Sequence, residues 1–290
     1  MGTGGPRAFG PSIAVFVAVT NVRSLFALVL ATAALFQAAP LSAEPVAVRQ
    51  MEGALHGFLI LRTVDGAIIA DGELTQVAHG SDVTLRLVFH FKDGSLQDET
   101  SIFSQRGHFR LLADHLVQKG PTFKRSMDLS IACSTGMVTV RSTDDKGKDK
   151  VETTRLAIPP DLANGLVPIL LKNIVSGAQP TAVSMIVATP KPMIVKLAIT
   201  ADGADSFSTG DASHEAIRYL IKVDIGGVRG VVAPLVGKQP PDTRMWILGG
   251  SSPTFVRSEG PMFESGPIWR TELVSPAWPK GPTDTAVRKK

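Results

Sequence analysis

Residues 161–175, Asp-Leu-Ala-Asn-Gly-Leu-Val-Pro-Ile-Leu-Leu-Lys-Asn-Ile-Val, carry clear helical spacing and divide the chain after its leader into two strand-rich halves. Pro159 and Pro160 end what precedes them, Asp161 offers an N-cap carboxylate, and Ser176-Gly177 supplies a stop. Leu162, Leu166, Ile169, Leu170 and Ile174 recur at helical intervals. Val167, Leu171 and Val175 make the segment apolar on nearly every side, as suits a helix held in the concave face of a sheet. Pro168 leaves two forms open: a helix kinked at that point, or one that begins near Val167 with the proline in its first turn.

Everything around this segment reads as short strands cut by turn residues. In 83–91, Val83, Leu85, Leu87, Phe89 and Phe91 alternate with Thr84, Arg86 and His90, Val88 being the exception, so one face is core. Lys92-Asp93-Gly94-Ser95 turns that strand into 96–105. Further runs are expected at 54–63, 108–119, 127–133, 137–142 and 151–158, with Asp71-Gly72 breaking or bulging the run that ends near His79-Gly80. Beyond the helix, 182–188, 193–200 and 217–225 continue the pattern, and Asp202-Gly203 opens a polar loop to Gly210. Gly and Pro are dense from 226 to 279, which predicts short strands and tight loops there. The fold class expected is mainly β: an antiparallel meander forming a curved sheet or half-barrel around one central apolar helix, 161–175.

No linker divides this region, so 44–280 is expected to be a single β-rich domain followed by a polar basic tail, 281–290. Residues 1–43 read as a signal peptide: Arg23 precedes the apolar run 25–36, and Ala43 offers a cleavage site before Glu44. A second apolar patch at 13–19 makes the leader long, and translation from Val22 is one explanation. An uncleaved anchor is the alternative, although 24–37 is short for a bilayer span, and no transmembrane span is expected after cleavage. The expected location is periplasmic or secreted.

The leader contains Arg7 and Arg23 and no acid, so its removal takes the formal charge from +4 to +2. No basic cluster with interleaved aromatics is present, which excludes a nucleic-acid partner. Cys133 is the single cysteine and reads as a small buried residue without an intramolecular disulfide.

Catalytic signatures are lacking. No Gly-x-Ser-x-Gly elbow occurs after the leader, and Gly249-Gly250-Ser251-Ser252-Pro253 reads as a turn. His108 and Asp114 are expected to share a strand face with His115 opposite, which halves any cluster with His90, Asp98 and Glu99. Asp98 and Glu99 point to opposite faces and make a poor acid/base pair. No catalytic residue, metal site or cofactor is expected. Phe255, Phe263, Trp269 and Trp278 line a ligand mouth or a partner surface, or complete a core.

Antiparallel hairpins, then Pro159-Pro160-Asp161-Leu162 opening an apolar helix, then more hairpins, all behind a signal, resemble the lipoprotein-carrier family of Gram-negative periplasms in order of elements. The run 227–242, Gly-Val-Arg-Gly-Val-Val-Ala-Pro-Leu-Val-Gly-Lys-Gln-Pro-Pro-Asp, further resembles an uncharacterised bacterial family of secreted proteins. The half-barrel resemblance implies an apolar groove between sheet and helix and carries over no binding residue.

The function expected is therefore a non-enzymatic periplasmic binding or carrier protein for an apolar or lipid-like ligand. Its contacts would be Leu162, Leu166, Ile169 and Leu170 on the helix, with Leu85, Leu87 and Phe89 on the facing strand. The same residues could equally form a closed core. A second reading is a cell-envelope structural or interaction module that meets a protein partner through 226–279, and a third is a secreted hydrolase.

Overall fold

The computed structural model describes residues 1–2, 44–143, 147–175, 177–188, 191–209, 211–224 and 240–274. Residues 3–43 of the signal expected at 1–43, the 281–290 tail, Trp278 and most of the 227–242 run lie outside the described residues. Among the described residues no helix is long and apolar enough to cross a membrane.

Fourteen antiparallel strands are described: β1 (Leu55–Thr63), β2 (Ile68–His79), β3 (Asp82–Phe91), β4 (Leu96–Arg106), β5 (His108–Lys119), β6 (Met127–Ala132), β7 (Met137–Thr143), β8 (Asp149–Arg155), β9 (Thr181–Val187), β10 (Met193–Thr209), β11 (Ala212–Asp224), β12 (Thr243–Leu248), β13 (Thr254–Gly260) and β14 (Trp269–Leu273). They make one curved, unclosed sheet in the order β8-β7-β6-β5-β4-β3-β2-β1-β14-β13-β12-β11-β10-β9. Two meanders thus meet where β1 pairs with β14, Leu59 opposite Leu273 and Thr63 opposite Trp269. The two edge strands, β8 and β9, are consecutive in the sequence. The connection between them has to travel from one edge to the other, and its apolar side chains require it to do so through the interior.

That connection is the expected helical segment, and only Val167–Leu171 (α1) is α-helical. Pro168 sits in the first turn, the second of the two forms that the sequence leaves open. The shortening has local causes. Gly165 has φ 65°, outside the helical region. Asp161 is not a cap: its carboxylate accepts from Ser184 Oγ at 2.9 Å and from Lys196 Nζ at 3.0 Å. Leu162 instead makes a parallel bridge to Ser184, and Asn164 brackets Ile186 with hydrogen bonds of 2.8 Å to its N–H and its carbonyl. The first half of the segment therefore serves as a partner for the β9 edge, satisfying groups that an edge strand leaves open. The second half is tied to residues 49–52 through Asn173 Oδ1, which accepts from the Arg49 and Gln50 amides at 2.8 Å, and through Lys172, 2.6 Å from Glu52.

Two local expectations are corrected. Asp71-Gly72 does not break β2; Gly72 keeps its place because a Cβ there would lie 2.4 Å from the Phe89 ring. Residues 202–209 of the expected loop are strand: β10 continues to Thr209 after an irregularity between Ala201 and Ala204, with Asp205 bound to Arg218 at 2.7 Å.

Inward side chains form two buried clusters. The larger joins β3 to β7 with β9 to β12 through Leu162, Ala163, Leu166, Ile169, Leu170 and Leu171. The smaller is an aromatic cap in which Phe91, Phe123, Phe263 and Trp269 meet with ring centroids 5.4–5.7 Å apart.

Candidate functional site

The seven residues expected to line a groove are all turned into the concave face, but they do not share one wall. Leu162, Leu166, Ile169 and Leu170 are at most 4% exposed and belong, with Leu85, to the larger cluster. Phe89 is fully buried in the aromatic cap, and Leu87 packs against that cap while keeping part of its surface accessible. On one strand, then, three successive inward positions run from one cluster to the other, and the half-open position lies between them.

Strand register extends that position into a row. Leu74 on β2 is opposite Leu87, Leu87 is opposite Glu99 on β4, and Glu99 is opposite Leu116 on β5. All four are half-buried. The neighbouring row on one side, Gly72, Phe89, Gln97 and Gln118, is buried, and so is the row on the other, Gln76, Leu85, Ser101 and Asp114. This half-buried row thus runs between two buried ones, the first continuing into the aromatic cap through Phe89 and the second into the larger cluster through Leu85. Leu74 and Phe255 each pack against both clusters. Of the aromatic residues singled out in the sequence, Phe263 and Trp269 complete the cap, and Phe255 packs between the two clusters.

The walls are held by polar ladders. Gln118 Nε2 donates to Gln97 Oε1 at 2.7 Å and to the Met262 carbonyl at 2.9 Å, which fixes the cap-side loop. On the other wall Ser101 Oγ donates to Asp114 Oδ1 at 2.7 Å, and Gly165 is pressed against both. Side-chain amides and hydroxyls are used where a buried carboxylate would otherwise be stranded.

Glu99 is the polar group of the half-buried row. Its carboxyl has no hydrogen-bond or ion-pair partner among the described residues, and burial, with Asp114 diagonal to it across the strands, pushes it up to about 8. Burial likewise raises Asp114 to about 6 against the lowering effect of the Ser101 hydrogen bond, and Asp114 Oδ2 is buried without a partner. Asp98, adjacent to Glu99, points outward to a two-pronged contact with Arg86 at 2.6 and 2.9 Å, so the two acids are separated as the alternation requires. Cys133 is half-buried, and burial followed by the Asp114 charge pushes its thiol up to about 11, which favours the thiol over the thiolate.

His108 and Asp114 do not share a face. Ile102 is opposite Ala113 but Phe103 is opposite Leu111, so Leu112 is an extra residue and the alternation of β5 shifts phase across it. Phe109, Leu111, Asp114 and Leu116 consequently face inward while His108 and His115 are exposed, His115 beside Asp128 at 3.1 Å. Among the described residues no three His, Cys, Asp or Glu side chains converge as metal ligands. Two depressions elsewhere, about 260 Å³ beside Lys119, Asp128, Arg141 and Val151 and about 190 Å³ beside Arg49, Lys172, Tyr219 and Gly250, fall below the few hundred Å³ of a usual small-molecule site.

Glu99 was within reach of sequence reasoning, because alternation alone turns it inward with the residues of the facing strand, Leu87 and Phe89. What the sequence hides is the bulge that brings Asp114 to the same side.

No family model matches this chain, and no curated protein matches it. A solved structure described as a beta-barrel-like protein of a domain of unknown function, DUF1849, from Brucella abortus is similar over 80% of this chain and 100% of its own, at 10% identity and a TM-score of 0.44. At that distance the fold and the site of this chain are read from its own strand pairing and its own side chains.

Proposed function

We propose that the protein is a non-enzymatic binding or carrier protein that holds an apolar or lipid-like molecule in the furrow between the 161–175 segment and the aromatic cap. The observation that carries this reading is the row Leu74, Leu87, Glu99 and Leu116, half-accessible between two fully buried rows. A folding chain that can close its core over leucines does so, since each one buried contributes about 1.5–3 kcal/mol. Three inward leucines left partly accessible in register are an apolar surface kept for something else. The binding surface is thereby moved from Leu162, Leu166, Ile169 and Leu170, which serve as the floor, to the strand residues above them. The apolar run at 25–36 and the small residue at 43 support a periplasmic or secreted location.

The test uses the purified full chain and N-phenyl-1-naphthylamine, a neutral dye that brightens in apolar surroundings. Saturable brightening is expected, lost in Leu87→Trp and Leu116→Trp variants whose circular dichroism is unchanged, because the indoles fill the furrow. Brightening that survives both substitutions, or no brightening in the wild type, overturns the reading.

A further inference from the structure

Three acidic side chains among the described residues are buried: Glu52, Asp114 and Asp161. Two have a lysine of this chain. Lys172 Nζ lies 2.6 Å from Glu52 Oε1, and Lys196 Nζ lies 3.0 Å from Asp161 Oδ2. Asp114 has none; its Oδ1 is held by the Ser101 hydroxyl and its Oδ2 has no partner. Its diagonal neighbour Glu99 also lacks a partner among the described residues, and Glu99, unlike Asp114, borders the furrow. The facing positions on the adjacent strands are Leu87 and Leu116, so no side chain next to it on the sheet offers a countercharge.

A carboxylate in a leucine-lined space is costly without a partner, so Glu99 keeps its proton until a cation beside it favours the ionised form. Glu52 and Asp161 are answered by ammonium groups from within; Asp114 and its half-buried neighbour Glu99 are not, and of these two it is Glu99 that a ligand can reach. Resting on the apolar-furrow reading, we infer that the ligand is an amphiphile with a protonated amine head: its alkyl part lies along Leu74, Leu87 and Leu116, and its ammonium is bound by Glu99 with Asp114 behind it. An anionic head, such as a fatty carboxylate, would face two acids with no cation to receive it. A neutral alcohol would gain a single hydrogen bond and no charge pairing.

The inference also accounts for the Ser101 and Gly165 arrangement. Ser101 and the glycine backbone together hold Asp114 on the floor, leaving Glu99 as the group a ligand meets first. Glu99 thus acts as the selector for head-group charge, while the leucines set the affinity for the tail.

The experiment is displacement of N-phenyl-1-naphthylamine from the full chain by three probes of equal chain length, dodecylamine, dodecan-1-ol and dodecanoate, each kept below its micelle concentration, with butylamine as a head without a tail. Dodecylamine is expected to displace the dye at least tenfold more effectively than dodecan-1-ol, with dodecanoate weakest and butylamine ineffective. In Glu99→Gln the preference for dodecylamine over dodecan-1-ol is expected to fall to within about threefold. Asp114→Asn, tested in parallel, is expected to lower the preference less than Glu99→Gln. Equal displacement by the three twelve-carbon probes, or a preference for dodecanoate, overturns the head-group inference and leaves the apolar furrow standing. Failure of the dye and of all three probes to bind overturns both. A preference for dodecylamine that Glu99→Gln does not diminish overturns the assignment of the head to Glu99.

Discussion

Gly165 is pressed against Ser101 so closely that a Cβ added to the glycine would lie 1.9 Å from Ser101 Oγ and 3.1 Å from Asp114 Oδ1. The backbone of the internal segment therefore rests directly on the hydrogen bond that fixes Asp114. With φ at 65°, the position also takes a left-handed conformation that an L side chain resists. Gly165→Ala is expected to lower the stability by roughly 3 kcal/mol or more, read as a shift in the denaturant midpoint. In a Ser101→Gly background the steric part of the loss should shrink and the conformational part remain.

Protonation of Glu99 sets a pH dependence whose direction is fixed by the raised value in the folded state. The unfolded chain releases this proton near the usual glutamate value, whereas the folded chain keeps it up to about 8. Between those limits the folded state binds more protons, so the stability Glu99 contributes is present in acid and is lost as pH rises toward 8. Asp114, raised to about 6, acts in the same direction over a lower window. The nearby charged and titratable groups are Asp114 itself, the Cys133 thiol, and His115 on the opposite face beside Asp128. Thermal unfolding of wild type between pH 5 and pH 8.5 should show a falling midpoint, and Glu99→Gln should flatten its upper part. An unchanged slope in that variant would assign the dependence to another group.

Lys172 and Glu52 form an ion pair whose side chains are 12% and 6% exposed, with Gln76 Nε2 donating to Glu52 at 3.0 Å. Removing one charge strands the other. Lys172→Met is expected to cost about 3–5 kcal/mol, and the double variant with Glu52→Gln is expected to be more stable than Lys172→Met alone. A chemical-denaturation cycle measures both.

Phe89 occupies the space that a side chain at position 72 would need. Gly72→Ala should destabilise by about 2–3 kcal/mol, and in a Phe89→Leu background by at least about 1 kcal/mol less. Additive losses would mean that the ring does not hold the site.

Leu166 and Leu116 separate floor from furrow. Leu166→Ala, in the close-packed cluster, is expected to cost about 3–5 kcal/mol, whereas Leu116→Ala, already half-accessible, should cost less than about 2 kcal/mol. Converting Leu166 and Ile169 together to asparagine should abolish cooperative unfolding, because both are buried in one cluster.

Period-two alternation in 83–91, Asp93-Gly94 as a turn, and the proline-flanked apolar segment were enough to determine an antiparallel, mainly β domain with an apolar element inside it. They act over a few residues, and local sterics and burial enforce them whatever lies farther along the chain. Tertiary structure decided the rest. The helix shrank to Val167–Leu171 because its first half found the β9 edge, with Asn164 and Asp161 exchanging helical roles for bonds to Ile186 and Ser184. The extra residue at Leu112 turned Asp114 inward, and pairing of β1 with β14 joined two meanders whose contact no local signal announces. Whether an inward leucine is closed over or left open depends on what the opposite arm brings to it. Leu85, Leu87 and Phe89 read alike in the sequence, and only Leu87, between the segment and the cap, was left half-open.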